Sequence, residues 1–202
     1  MSQVLQTRKT PRLKHHDYKR DGIYFVTICT HEREPILGKV IFNTDDNRNI
    51  AINVTNGSIP SQNEYVSKPN VFITPATVKL TAIGKFVLQT IESIANRYPG
   101  VEINKYIVMP NHIHLLIMLK QEQQRQGTRC RSGEAEQVIS QIVSLSEIVR
   151  WLKIVTSKKY GKALWQRSYH DHIIRGEHDY RKIWQYIDEN SQRWMFDKYY
   201  KK

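Results

Sequence analysis

Two histidines open an apolar run in Met109-Pro110-Asn111-His112-Ile113-His114-Leu115-Leu116-Ile117, and this segment organises the rest of the chain. In a strand, residues two positions apart share a face. The two histidines therefore point to one side, whereas Ile113, Leu115 and Ile117 point to the other. Two imidazoles side by side at a strand end can hold one divalent cation. The spacing alone is a weak metal signal, so further ligands must come from elsewhere in the chain.

Length and composition predict one globular domain. The chain has 202 residues, of which 40% are hydrophobic, and this is enough for a packed core. We predict a single domain over 1–202, with a basic arm at about 1–20 and an insertion at about 39–75. No segment reaches the roughly 18 consecutive apolar residues of a membrane span. The first residues also lack the apolar block of a secretory signal, and Cys29 and Cys130 lie far apart, so we expect a soluble, cytoplasmic protein.

The charge balance indicates a polyanionic partner. Lysine and arginine number 31 against 19 acidic residues, which gives a formal net charge of +12. A generally basic surface without a specific role is one interpretation. Nucleic acid is the favoured one, because cations along a phosphate backbone release condensed counterions. An anionic membrane would require a basic amphipathic helix, and none is evident. The candidate DNA contacts are Arg12, Lys14, Arg150, Lys153, Lys158 and Arg167.

Hydrophobic periodicity predicts the order strand, insertion, helix, strand, strand, helix, strand, helix. The second long helix has a capping-box signature at Ser144 and Glu147 and ends at Gly161. Without the insertion and the last helix, the order β-α-β-β-α-β is the ferredoxin-like plan. We therefore predict an α+β fold: an antiparallel sheet with helices on one face, plus a C-terminal helix. The predicted strands and helices cover 22–30, 80 up to a stop at 99–100, 101–108, 112–119, 145–160, part of 164–175 and 177–190.

The last helix carries a tyrosine at the border of its apolar side. At about 100° per residue, Tyr180, Trp184 and Ile187 cluster on the side that should contact the sheet. Tyr186 falls beside that cluster, and Asn190 follows one turn later. For this helix alone, a boundary tyrosine packing its ring is the simpler interpretation.

Together, these features resemble the HUH single-strand transposases, and most closely their REP-associated tyrosine transposase branch. The resemblance extends over most of the chain and depends on the order of several motifs, each of which is weak alone. The motifs are 24–31 (YFVTICTH), 80–84 (LTAIG), 109–114 (MPNHIH), 144–150 (SLSEIVR), 165–169 (WQRSY) and 186–190 (YIDEN).

The resemblance implies roles for four residues. The family's paired metal histidines match His112 and His114, its nucleophilic tyrosine matches Tyr186, and its polar ligand one turn later matches Asn190. The implied activity cleaves and rejoins single-stranded DNA beside a hairpin through a 5′-phosphotyrosine intermediate, in a monomer or a homodimer. Imidazole suits zinc or nickel, whereas phosphate oxygens favour harder ions, so we expect Mg²⁺ or Mn²⁺. This chain has Ser191 after Asn190, where relatives commonly have proline.

Other interpretations remain open from the sequence. A non-catalytic nucleic-acid binding protein on the same scaffold would use the histidines and the tyrosine structurally. A plasmid relaxase or replication initiator shares the chemistry but usually has a longer chain. His170 and His172 repeat the two-residue spacing in a less apolar setting, where metal binding is not favoured. If Tyr186 is not the nucleophile, Tyr169 or Tyr180 is next in line.

Overall fold

The structure is a computed structural model that describes residues 17–42, 76–120 and 143–196. Arg12, Lys14, most of the predicted insertion and the polar segment 121–142 lie outside these residues. The strands of the described part are β1 (Gly22–Cys29), β2 (Gly38–Phe42), β3 (Ala76–Leu80), β4 (Val101–Val108), β5 (His112–Leu119) and β6 (His170–Ile173). Its helices are α1 (Ala82–Glu92), α2 (Ile94–Arg97), α3 (Leu145–Tyr160) and α4 (Glu177–Glu189), with 3₁₀ turns at His31–Arg33 and Trp194–Phe196.

Four strands form the main sheet in the order β4-β5-β1-β6, and every neighbouring pair is antiparallel. Counted without β2 and β3, this is the ferredoxin-like order, so the predicted fold class is confirmed. β5 lies in the interior of the sheet, and all but one of its residues are buried. This burial explains why the run after the histidines is apolar on both faces.

The two faces of the sheet differ. On one face, β5 contributes Ile113, Leu115 and Ile117 to the main core, together with residues of α1 and α3. On the other face, the same strand presents its two histidines, and α4 covers part of this side. The C-terminal helix therefore lies across the sheet from α1 and α3. Within the described residues, no helix is both long enough and apolar enough to cross a membrane.

The segment around the predicted insertion has more structure than the sequence indicated. β2 and β3 pair antiparallel, from Gly38 opposite Leu80 to Phe42 opposite Ala76. Leu80 therefore ends a strand, and the helix begins at Ala82, which differs from the prediction that this helix starts near Leu80. A small second core joins this pair of strands to Met109 and Trp194. The sequence does not reveal the pairing, because more than thirty residues separate the two strands.

Local signals explain the helix ends. Ser144 and Glu147 form both hydrogen bonds of the predicted capping box, and Gly161 ends α3 in the left-handed conformation at φ 84°. Gly84 lets α1 pass close to the chain before β2, because a Cβ at that position would lie 1.9 Å from the Leu37 carbonyl oxygen. The single helix predicted from Leu80 to the stop at Pro99 is interrupted at Ser93, which separates α1 from α2.

Candidate active site

The histidine pair is the centre of the candidate site. His112 and His114 are 0% and 1% exposed, and their Nε2 atoms lie 3.1 Å apart. Both side chains project from β5 toward the face that α4 covers. The residues opposite them in β1 are Cys29 and Thr27. The strand alternation inferred from the sequence therefore does bring the two imidazoles together.

Neighbouring side chains orient both rings through their Nδ1 atoms. Asn111 Oδ1 lies 2.8 Å from His112 Nδ1, and because a carbonyl oxygen only accepts, that nitrogen donates. Thr27 Oγ1 lies 2.9 Å from His114 Nδ1. When this hydroxyl accepts, the Nε2 atoms of both rings keep their lone pairs and face each other. Such outer partners fix the ring orientation of metal-binding histidines.

The Nε2 separation fits two ligands of one ion. Metal–nitrogen bonds are about 2.0–2.1 Å long. When the nitrogen–metal–nitrogen angle lies between a right angle and the tetrahedral angle, the two ligating nitrogens are roughly 2.9–3.4 Å apart. The observed 3.1 Å falls in this range. Two facing lone pairs at this distance repel each other unless a proton or a cation lies between them. The donor set therefore fits a divalent cation.

Tyr186 lies beside this pair. Its hydroxyl oxygen is 3.4 Å from His114 Nε2, and its ring centre is 5.2 Å from that of His114. Phe25 of β1 contacts the tyrosine ring edge-on at 5.9 Å and stacks on His114 at 5.0 Å. The ring is half-buried between strand and solvent, as its position on the helix predicted.

The chain after α4 passes the other histidine. Trp194 lies with its ring centre 5.9 Å from that of His112. Asn190, at the C-terminal end of α4, is 2% exposed. It lies between Tyr186, which contacts His114, and Trp194, which contacts His112. The segment that carries Asn190 therefore contacts the histidine pair on both sides of this residue.

Contacts with the edge strand β4 position α4. The Lys105 ammonium pairs with the Asp188 carboxylate and lies 4.6 Å from the centre of the Trp184 ring. Asn104 Nδ2 donates to the Tyr180 hydroxyl at 3.2 Å. These two strand residues therefore contact the helix on either side of Tyr186 along its sequence.

The predicted DNA contacts have different surroundings. Arg150 and Lys158 are exposed on α3, across the sheet from the histidines. Lys153 donates to the backbone carbonyls of residues 166, 167 and 168 at 2.9–3.3 Å, so its ammonium holds this loop. Arg167 is exposed in that loop, next to Gln166, whose N–H donates to the Cys29 carbonyl. Arg167 is thus the described candidate at the histidine end of the sheet.

The second histidine pair has another arrangement. His170 and His172 are exposed on the edge strand β6, and His172 Nε2 lies 2.8 Å from Asp179 Oδ2. Burial alone would raise the pKa of Asp179, but hydrogen bonds from His172 and the Arg175 N–H outweigh it and lower this pKa. In the described ranges, no three residues among His, Cys, Asp and Glu form a metal-binding group. The candidate set at His112 differs because its third member is an amide.

Sequence reasoning missed four residues of this site. Asn111 is adjacent to the histidines, and an amide there is a signal that could have been used. Thr27 and Phe25 come from a strand more than eighty residues earlier, and only the register of β1 on β5 brings them to the histidines. Trp194 lies beyond the last predicted helix, which ends at residue 190. Its contact with His112 depends on the turn after α4, for which the sequence has no clear signal.

Comparison with known proteins identifies a relative and a fold. No protein-family model matches the chain. A Haemophilus influenzae protein, described as uncharacterized, is 30% identical over 200 residues, which cover 96% of this chain and 93% of that protein. The chain belongs to the same family as that protein. A solved REP-associated tyrosine transposase bound to a REP hairpin is similar in fold, with a TM-score of 0.52 and 18% identity over 93% of this chain and 77% of that one.

Proposed function

We propose that the protein is a metal-dependent transposase that cleaves and rejoins single-stranded DNA at hairpin-associated sites. The observation that carries the proposal is the convergence of His112, His114 and the Tyr186 hydroxyl, with the two Nε2 atoms 3.1 Å apart and the phenol 3.4 Å from one of them. Tyr186 and His114 are 72 positions apart in sequence, and their side chains meet at the buried imidazole pair. The shared fold with a REP-associated tyrosine transposase supports the same function.

His112, His114 and Asn190 would hold the divalent ion, for which we propose Mg²⁺ or Mn²⁺. The chemistry that such an ion would supply is neutralisation of the anionic oxygens of the scissile phosphate and its orientation. Asn111 and Thr27 keep each imidazole turned with Nε2 toward that ion. Phe25 and Trp194 pack against the rings and limit access of water to them.

Tyr186 would act as the nucleophile. Its phenolic oxygen forms a bond to the scissile phosphorus as the bond from phosphorus to the 3′ oxygen breaks. The phenol proton is released to solvent, and the departing oxygen takes up a proton to become a 3′-hydroxyl. The number of phosphodiester bonds is unchanged, so a 3′-hydroxyl can attack the tyrosine linkage and rejoin two strands.

The proposed substrate is a single strand next to a DNA hairpin. The net charge of +12 supports a polyanionic partner. Arg167 is suited to contact the backbone near the cleaved phosphate, whereas Arg150 and Lys158 would contact DNA that continues around the edge of the sheet. We also propose a cytoplasmic location, where the buried thiol of Cys29 would stay reduced.

The test incubates the protein with labelled hairpin-flanked single strands and Mn²⁺ or Mg²⁺. We expect a covalent protein–DNA adduct that resists denaturant and is absent with EDTA. Tyr186→Phe should abolish it, because the ring is kept while the nucleophilic oxygen is lost. Tyr160→Phe, at the end of α3 across the sheet, is the matched control and should still form the adduct.

Two results would contradict the proposal. An adduct that persists in Tyr186→Phe would assign the nucleophile to another residue. Tight binding of the DNA without any adduct, under every metal condition, would favour a non-catalytic nucleic-acid binding protein.

A further inference from the structure

The strand next to α4 contains an irregularity beside the site. Ile103 pairs with Ile117 of β5, but Lys105 pairs with Leu116, so Asn104 is an extra residue in β4. Such a bulge shifts the alternation of side chains by one position. Without it, Lys105 would point to the core face, where Tyr106 now packs.

The bulge turns two consecutive side chains toward the same helix. Asn104 donates to the Tyr180 hydroxyl, and Lys105 contacts Trp184 and Asp188. The Lys105 side chain is 26% exposed, so its ammonium is partly withdrawn from water. A lysine that both pairs with a carboxylate and lies over an indole ring is held more firmly than an ordinary surface pair.

These contacts hold the turn of α4 that carries the proposed nucleophile. Trp184 and Asp188 lie two residues before and two residues after Tyr186, and at about 100° per residue they project from the other side of the helix, so Lys105 contacts α4 at the level of Tyr186 without touching its ring. The Lys105–Trp184–Asp188 contact set restricts rotation and sliding of α4 on the sheet. A displacement of about 1 Å at a reacting group can lower a rate by roughly a hundredfold.

We propose that Lys105 is a positioning residue for Tyr186. It holds α4 in the register that sets the phenol beside His114, and the bulge at Asn104 is what brings it to the helix. This inference rests on the proposed function for its kinetic consequence, but not for the geometry it assigns. Lys105 neither contacts the histidines nor supplies a proton.

The kinetic test compares Lys105→Ala with Lys105→Arg and with the charge-exchanged double variant Lys105→Glu, Asp188→Lys. At saturating DNA and Mn²⁺, we expect Lys105→Ala to form the adduct about 10- to 100-fold more slowly. Its Kd for Mn²⁺ and for DNA should stay within about twofold of the unaltered protein. The arginine variant should recover most of the rate, and the exchanged variant the part that depends on the ion pair. Lys85→Ala, at an exposed lysine on α1, is the control.

A second measurement needs neither DNA nor activity. The ring of Tyr186 shifts the NMR signals of the His114 imidazole protons, because the ring centres are 5.2 Å apart. In Lys105→Ala these signals should move toward their positions in Tyr186→Ala, and in Lys85→Ala they should not. If the protein forms no adduct but this shift appears, the proposed function fails and the positioning role stands.

Two outcomes would overturn the inference. The first is an unmoved His114 signal in Lys105→Ala. The second is a weaker DNA affinity in Lys105→Ala, together with a salt dependence of binding that is smaller by about one charge. In this outcome, the charge-exchanged double variant does not restore the affinity. That second pattern would make Lys105 a direct phosphate contact.

Discussion

The two faces of the main sheet use the same strand for different purposes. On the face that α1 and α3 cover, Ile113, Leu115 and Ile117 are fully enclosed in the main core. On the opposite face, His112 and His114 are equally buried but polar, and their neighbours are hydrogen-bonding and aromatic side chains. Burial therefore does not distinguish the faces. The core face removes apolar area from water, whereas the other face holds two imidazoles in one orientation.

The largest expected effect is on the core face. Leu115→Ala should lower the free energy of unfolding by about 2–5 kcal/mol, because it leaves a cavity among enclosed side chains. Urea unfolding followed by circular dichroism measures the loss. The fraction that remains folded should bind Mn²⁺ with unchanged affinity, since Leu115 points away from the histidines. A lower metal affinity in the folded fraction would mean that the two faces are not independent.

A smaller effect is expected for the residue that orients His114. Thr27→Val keeps the size of the side chain and removes the oxygen that lies 2.9 Å from His114 Nδ1. We expect the affinity for Mn²⁺, measured by calorimetry, to fall about 10- to 100-fold, as is usual when an outer partner of a ligating histidine is lost. Thr90→Val, at a buried threonine of α1, should leave the affinity unchanged. Equal affinity in Thr27→Val and the unaltered protein would argue against this role.

A smaller change in the free energy of unfolding is expected for the capping box of α3, which also lies on the core face. Ser144→Ala removes the side chain that accepts from the Glu147 N–H and should cost about 1 kcal/mol of unfolding free energy. Glu147→Gln should cost less, because glutamine can also complete the box. Thermal unfolding compares the two. Adduct formation per folded molecule should not change, and a loss of activity in Ser144→Ala would connect α3 to the reaction.

The smallest effect concerns the start of α4. The folded-state pKa of Asp179 lies below its ordinary value of 3.8, so its contribution to stability is present above about pH 4 and is lost as the pH falls through the folded value. Asp179→Asn should therefore cost about 0.2–1 kcal/mol at pH 7 and less at pH 3, which lies below the ordinary pKa of 3.8. Urea unfolding at both pH values measures the difference. A cost that is the same at both would assign the effect to packing.

Local signals explain why much of the fold could be predicted. The alternation around His112, the capping box at Ser144 and the glycine at 161 each act over a few residues, and each was correct. The pairing of β2 with β3 and the bulge at Asn104 depend on which distant strand lies alongside, so periodicity alone does not reveal them.

The residues of the candidate site also fall into two groups: those that a local motif indicates, and those that only distant parts of the chain bring into place. The motif order indicated His112, His114 and Tyr186, and the structure does bring these three together. The residues that orient them come from elsewhere: Thr27 from β1, Trp194 from the turn after α4, and Lys105 through a strand irregularity. A sequence motif can mark the candidate reacting groups, but the residues that contact them depend on three-dimensional register.

The identity of the proposed nucleophile can be tested directly by mass spectrometry of the expected protein–DNA adduct after nuclease and trypsin digestion. The tryptic peptide 183–193 (IWQYIDENSQR) contains Tyr186 as its single tyrosine, whereas Tyr180 and Tyr169 fall in the separate peptides 176–181 and 168–175. We predict that the remaining nucleotide is attached to peptide 183–193. Attachment to either of the other two peptides, or no modified peptide from a reaction that cleaves the DNA, would contradict the assignment of Tyr186 as nucleophile beside the histidine pair.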